Sequence, residues 1–177
     1  MTPTIRHATP AEAPALAELA ARTFRDTFGA DNRPEDLAQH LATAYGPEQQ
    51  AREIADPGIT TLVAEQDGTL VAFTQLRLGT PPAAVRGAAP VEIWRFYLAA
   101  AWHGRGLAQQ LMAAAIEAAE AAGARTLWLG VWERNPRAIA FYRKAGFVDV
   151  GSQLFVVGTD PQTDRLMERS LASDAAP

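Results

Sequence analysis

Residues 91–98, VEIWRFYL, are so rich in β-branched and aromatic side chains that they read as a strand. WHGRGLA, Trp102 to Ala108, follows almost at once, and then an alanine-rich amphipathic stretch from Leu107 to about Ala122. A strand that opens through a Gly-x-Gly turn into a helix has few ways to fold. The turn needs backbone conformations that glycine adopts at least cost, and the helix start leaves several N–H groups unpaired at the positive end of its dipole. Those N–H groups form a cradle for an anion, of which phosphate is the commonest. The main-chain amides from Gly104 to Gln109 are placed to form it.

Composition narrows the rest. A chain of 177 residues, 48% apolar, is the usual size for one core, so residues 1–171 are expected to form a single domain and 172–177 a flexible tail. Sixteen basic against twenty acidic residues, a formal charge of −4, give no basic footprint for nucleic acid and no polybasic patch for a membrane. There is no cysteine, which excludes disulfides, thiolate metal sites and a cysteine nucleophile. His7, His40 and His103 share no ligand-like spacing, so no metal is expected. Arg6 and His7 interrupt any leader-like apolar run, and no stretch reaches membrane-spanning length; a cytoplasmic protein is the expectation.

Along the chain, Thr4 to Ala8 reads as a strand. Thr9-Pro10 starts a helix whose apolar stripe of Leu16, Leu19, Ala20, Thr23, Phe24 and Phe28 runs to Gly29. Asn32-Arg33-Pro34 and Gly46-Pro47 start two more helices. Strands over about 60–66 and 69–78 are joined by Asp67-Gly68, a type I′ hairpin signal, and Gly79 to Pro90 is a loop with three prolines and two glycines. After the 91–98 strand and its helix, Arg125 to Trp132 reads as a buried strand, and Asn135-Pro136 starts a short helix that Gly146 ends. Two last strands, about 147–157 and 163–171, are separated by the turn-rich Gly158-Thr159-Asp160-Pro161. This order predicts an α+β, three-layer fold: a mixed, mostly antiparallel seven-stranded sheet with helices on both faces and one central parallel crossover.

Laid out this way, the chain resembles the GNAT superfamily of acetyl-CoA-dependent N-acetyltransferases. That family's cofactor signature is (Gln/Arg)-x-x-Gly-x-(Gly/Ala) after the fourth strand. His103-Gly104-Arg105-Gly106-Leu107-Ala108 matches it at the glycine and the final small residue, with His103 standing where Gln or Arg is usual. Downstream, ERNPRAIAFYRKAGF, Glu133 to Phe147, is similar to the family's Asn-x-x-Ala-x-x-(Phe/Leu)-Tyr-x-x-x-Gly-Phe segment. A narrower resemblance, to PaiA-type polyamine acetyltransferases, lies in TFRDTFG, GVWERN, AIAFYRKAGF and FVVGTDPQTDRLM.

The resemblance implies acetyl-CoA as cosubstrate and a small amine, polyamine-like by the narrower likeness, as acceptor. It implies that the fourth strand splays from the fifth, with the pantetheine arm along the backbone of Phe96, Tyr97 and Leu98 and the Leu98 N–H aimed at the thioester carbonyl. His103, Gly104, Arg105, Gly106, Leu107, Ala108 and Gln109 would hold the diphosphate, and Asn135 the arm. Tyr142 would be the general acid for the departing thiolate, since a phenol is protonated at neutral pH.

Period-2 alternation puts Glu92 with Trp94, Phe96 and Leu98 on one side of the strand, where Glu92 either serves as base or pairs with an arginine. Some relatives carry their base on the fifth strand, at a position that here is Gly130. The acceptor pocket is expected between the N-terminal helices and the last two strands, with Phe24, Phe28, Glu92 and Trp94 as substrate contacts and Asp26, Asp31, Glu35 and Asp36 close by to bind the remote ammonium groups of a polyamine; the two phenylalanines also read as helix anchors in the core, and the acids as a solvated helix start. Two alternatives stay open: a non-catalytic acyl-CoA-binding module, and a transferase for a peptide or protein amine. Exposed strand edges, Trp94 or Trp102 would serve a homodimer.

Overall fold

The computed structural model describes residues 2–171; the expected tail, 172–177, lies outside them. One seven-stranded sheet organises the chain: β1 (Thr4–His7), β2 (Ile59–Gln66), β3 (Thr69–Arg77), β4 (Pro90–Leu98), β5 (Thr126–Trp132), β6 (Val148–Val157) and β7 (Asp160–Ser170). Their spatial order is β1-β2-β3-β4-β5-β7-β6, and every neighbour is antiparallel except the β4–β5 pair. The helices are α1 (Ala13–Phe28), α2 (Pro34–Ala44), α3 (Pro47–Ala55), α4 (Leu107–Ala121) and α5 (Pro136–Lys144). None of them is long and apolar enough to cross a membrane.

Alternation along the strands divides the core into two layers. On one face, Val63, Phe73 and Trp132 meet Leu16, Leu19, Phe24 and Phe28 of α1. On the other, Ile93, Leu127, Leu129 and Val131 meet Met112, Ala115 and Ala119 of α4 and Ile139 and Tyr142 of α5. Burying a Leu or Phe side chain contributes about 1.5–3 kcal/mol, so the two layers hold α1 and α4 against opposite faces.

The turns follow their residues. Asp67 and Gly68 have φ of 51° and 76°, the paired positive values of a type I′ hairpin. Thr9 N–H donates to Glu12 Oε2 at 2.7 Å, and the first turn after it, Pro10–Glu12, is a 3₁₀ turn before α1 proper begins. The turn-rich segment 158–161 is shorter than expected: Val157 pairs with Asp160, so Gly158-Thr159 is a two-residue turn and Pro161 lies within β7. Proline is tolerated there because β5 ends opposite Asp164, leaving Pro161 with a strand on one side only.

Two irregularities in the middle of the sheet shape the molecule. β4 and β5 pair only from Pro90 with Thr126 to Glu92 with Trp128, and beyond that the strands part. At the same place Gln75 faces Arg95 while the next β3 residue, Leu76, faces Ile93, so Trp94 is an extra residue in β4. This bulge corrects the expected alternation. Glu92, opposite Arg77, lies on the face of Gln75 and Arg95, whereas Phe96 packs with Ile93 against the α4–α5 layer.

Candidate active site

The parting of β4 from β5 opens a cleft of about 360 Å³, with the Gly-x-Gly turn and α5 at one end and α1, β6 and β7 at the other. Its β4 wall presents unpaired backbone. Ala99 N–H donates to Val71 C=O at 2.8 Å, and successive N–H groups of a strand alternate sides, so the N–H groups of Leu98 and Phe96 point away from β3 into the cleft. Tyr97 is the exception in that trio. Its backbone faces β3, and its ring packs on Phe73 at a centroid distance of 5.7 Å.

At the mouth, Gly104 and Gly106 have φ of 73° and 82°, and a Cβ added to either would meet nothing within 4 Å. These positions therefore need glycine for backbone conformation, and the space in front of them is open. Gly106 is the residue before Leu107, the first of α4, so the unpaired N–H groups of that helix start open toward the same space. The Leu107 side chain is buried in the core with Leu111, Ala64 and Ala72. Arg105 points outward, its guanidinium 5.7 Å from the Trp102 ring. Ala108 and Gln109 line the cleft.

His103 is held from both sides. Its Nε2 lies 3.2 Å from the Leu98 carbonyl oxygen and its Nδ1 lies 3.1 Å from Nη1 of Arg137. A neutral ring with the proton on Nε2 satisfies both contacts, donating to Leu98 and accepting from Arg137. This brings Arg137, on the first turn of α5, to the cationic end of the cleft. Asn135 caps the same helix, its Oδ1 accepting from Ala138 N–H at 3.1 Å, and lines the cleft beside it.

Tyr142 lines the α5 wall, with Phe96, Phe141 and Phe147 rings 5.4–6.2 Å away. Burial pushes its phenol well above the ordinary value, so it holds its proton at neutral pH.

The sequence-predicted substrate contacts separate. Phe28 and Trp94 line the cleft; Phe24 does not. It is 1% exposed and anchors α1 among Phe28, His40 and Tyr45. Trp94 is clamped between two guanidiniums, Arg77 at 4.0 Å and Arg95 at 3.8 Å. Arg95 in turn is paired in the interior with Glu53 and donates to Gln75 Oε1 at 2.6 Å. Glu92 lies outside the cleft, and Arg77 holds its Oε2 through Nε at 2.9 Å and Nη2 at 2.6 Å. Burial raises its carboxyl above the usual range and Arg77 opposes that rise.

Sequence reasoning passed over Arg137 and, of more consequence, Asp164 of β7. It is 7% exposed, lines the cleft, and is pushed up by burial to about 6. The signal was its parity in the strand with buried Leu166, which a carboxylate on a solvated face would not share.

With that geometry in place, the comparisons with known proteins converge. Residues 14–147 match the acetyltransferase (GNAT) family. An uncharacterized N-acetyltransferase encoded in the pepI 3′ region of Lactobacillus delbrueckii subsp. lactis is 35% identical over 158 residues, 89% of this chain and 91% of that protein. The aminoglycoside N(6′)-acetyltransferase type 1 of Stenotrophomonas maltophilia is 33% identical over 148 residues, 82% of this chain and 86% of its own. Among solved structures, the PaiA N-acetyltransferase of Thermoplasma acidophilum in complex with coenzyme A superposes with a TM-score of 0.80 at 23% identity, covering 96% of this chain and 99% of that one.

Proposed function

Because the chain belongs to the acetyltransferase (GNAT) family, we propose that it transfers the acetyl group of acetyl-CoA to the primary amine of a small molecule, by direct attack in a ternary complex. The observation that carries this reading is the parting of β4 from β5 after Glu92 and Trp128, with the Gly104–Gly106 turn at the mouth of the gap. An extended pantetheine arm needs backbone donors and acceptors free of a neighbouring strand, and a diphosphate needs unpaired N–H groups at a helix start. The two lie on one cleft here.

In this reading the N–H groups at the start of α4 hold the diphosphate, with Arg137 and His103 beside them. The backbone of Phe96 and Leu98 and the side chain of Asn135 align the arm. Leu98 N–H polarises the thioester carbonyl as negative charge develops on its oxygen. Tyr142, protonated because it is buried, supplies the proton that the departing thiolate takes up.

Polyamines are one group within the acceptor class. Of the acids near the end of α1 and the start of α2, Asp36 accepts from Thr159 and Arg33 and Asp31 lies 3.5 Å from Arg134, while Asp26 and Glu35 are exposed and none of the four lines the cleft. A thiol-release assay with acetyl-CoA and a panel comprising spermidine, kanamycin, benzylamine and a short peptide tests the reading. Release that depends on at least one amine supports it. Tight acetyl-CoA binding with no release on any of them would favour a non-catalytic acyl-CoA-binding module.

A further inference from the structure

The cleft is electrically polarised. Among the described residues its one unpaired guanidinium, Arg137, stands with His103 at the end near the Gly-x-Gly turn, and Arg95 is neutralised by Glu53. At the opposite end stands Asp164, the one carboxylate among the described residues that line the cleft. No protein donor among the described residues reaches it, although it is 7% exposed. A carboxylate on a mostly buried residue, open to the cleft and without a protein donor or counter-charge beside it, is costly, and its place at the end of the cleft suits a cationic visitor.

Its surroundings define that visitor. Asp164 leans over Gly130: a Cβ built on Gly130 would lie 3.0 Å from Asp164 Oδ2 and 2.9 Å from Gln153 Nε2, so any side chain there would displace the carboxylate. The walls beside it are Phe28, Trp132 and Phe155. No second acid lines the cleft to receive a further positive charge. Resting on the acetyltransfer reading, we propose that Asp164 docks the acceptor's ammonium group and removes its proton, so that the preferred acceptors are primary amines whose carbon skeleton next to nitrogen is apolar and uncharged.

The step balances. The ammonium gives one proton to the Asp164 carboxylate, and the nitrogen lone pair then forms the C–N bond at the thioester carbon. The tetrahedral adduct collapses with cleavage of the C–S bond. The nitrogen sheds two protons in becoming an amide: one leaves through Asp164 to solvent, and the other balances the proton taken up by the thiolate. No oxidant or further reactant enters.

A pH dependence follows from the surroundings of this carboxylate. β5 offers no titratable group, β6 offers Gln153, and α1 offers Thr27 and Phe28 at the cleft. The other titratable or charged groups of the lining are Arg95, Tyr97, His103, Arg137 and Tyr142. Next to it in sequence, Arg165 turns to Asp149 at 3.3 Å, and across the end of α1 Asp31 faces Arg134. Asp164 is thus raised by burial, to about 6, and acts as a base above that pH.

The test uses benzylamine, with benzyl alcohol as uncharged control, titrated into the wild type and Asp164→Asn at pH 7, followed by kinetics from pH 5.5 to 9.5. Benzylamine should bind the wild type in preference to the alcohol, and the variant should bind it at least about tenfold more weakly, since it loses a charge-assisted contact. The variant should also lose about a hundredfold or more in kcat/KM at pH 7, as expected for loss of a general base. That deficit should shrink as pH approaches the amine's own pKa, because free amine needs no base. Unchanged acetyl-CoA affinity in the variant marks the loss as local. Equal benzylamine binding by the two proteins, a variant with wild-type kcat/KM, or loss of acetyl-CoA binding in step with activity would each overturn the role of Asp164. A wild type that binds benzylamine through Asp164 but releases no thiol with any amine would instead sink the transferase reading and leave the docking site standing.

Discussion

The carboxylate of Asp164 fills the space that a side chain at Gly130 would occupy, with Oδ2 3.0 Å from where that Cβ would stand. A strand glycine that weakens β5 is thereby explained by a neighbour on β7. Both residues sit where β5, having parted from β4, keeps only β7 beside it.

Such a carboxylate lowers stability in a defined pH window. Its folded-state value, about 6, lies above that of an unfolded aspartate, so the folded chain holds the proton more tightly and stability falls as pH rises between about 4 and 6. Asp164→Asn should therefore be more stable than the wild type at pH 7, by on the order of 2 kcal/mol, or about 4–8 °C in Tm. The two proteins should melt together at pH 4. Thermal melts at the two pH values check this, and a variant that is less stable at pH 7 would mean that the carboxylate has a partner in the folded protein.

Tyr142→Phe removes one oxygen and leaves the packing on Phe96, Phe141 and Phe147 intact. If the phenol protonates the thiolate, kcat should fall by about a hundredfold with acetyl-CoA affinity nearly unchanged. A variant at full kcat would remove Tyr142 from the mechanism.

Gly106→Val places a β-branched residue at a φ of 82° immediately before α4. That conformation costs about 1–3 kcal/mol for a side-chain-bearing residue and is relieved by turning the N–H groups out of line. Acetyl-CoA affinity should drop more than tenfold in a titration. Since the space in front of Gly106 is open, an unchanged affinity would mean that the diphosphate is held elsewhere.

Glu92→Gln distinguishes the two carboxylates near the centre of the sheet. Glu92 is tied to Arg77 and outside the cleft, so its loss should fall far short of the roughly hundredfold drop in kcat/KM that removing a general base produces. A deficit of that size, with the acid limb of the pH profile lost, would return the base to β4.

The difference between Glu92 and Asp164 shows what the sequence could reveal. Periodicity, caps and turn residues placed the elements within a few residues, because those signals are local: Asp67-Gly68 makes its hairpin and Asn135 its cap whatever surrounds them. The Gly-x-Gly turn into α4 was legible for the same reason. The bulge at Trp94 was not, since it depends on where Gln75 and Leu76 find partners across the sheet. One extra residue reversed the face assigned to Glu92. Asp164 was hidden because its role comes from Gly130 and Phe28, distant in sequence. Phe24 and Phe28, one turn apart on α1, look alike in sequence, and only the place where β4 parts from β5 decides which reaches the cleft.

A buried ion pair stands beside the bulge. Arg95 stacks on Trp94 at 3.8 Å and on Tyr45 at 4.8 Å, and Glu53 of α3 neutralises it, with both side chains under 10% exposed. Removing one partner leaves the other charged in the interior, at a cost of about 3–5 kcal/mol, whereas replacing both by apolar groups is close to neutral. Glu53→Gln should lower Tm by on the order of 10 °C. It should also weaken amine and acetyl-CoA binding together, since the released guanidinium no longer clamps Trp94 at the point where β4 leaves β5. Combining Glu53→Leu with Arg95→Met should restore most of the Tm. If it also restores acetyl-CoA affinity, the pair serves only to keep charge out of the core; if affinity stays low while Tm recovers, the stack of Arg95 on Trp94 is what holds the strands apart.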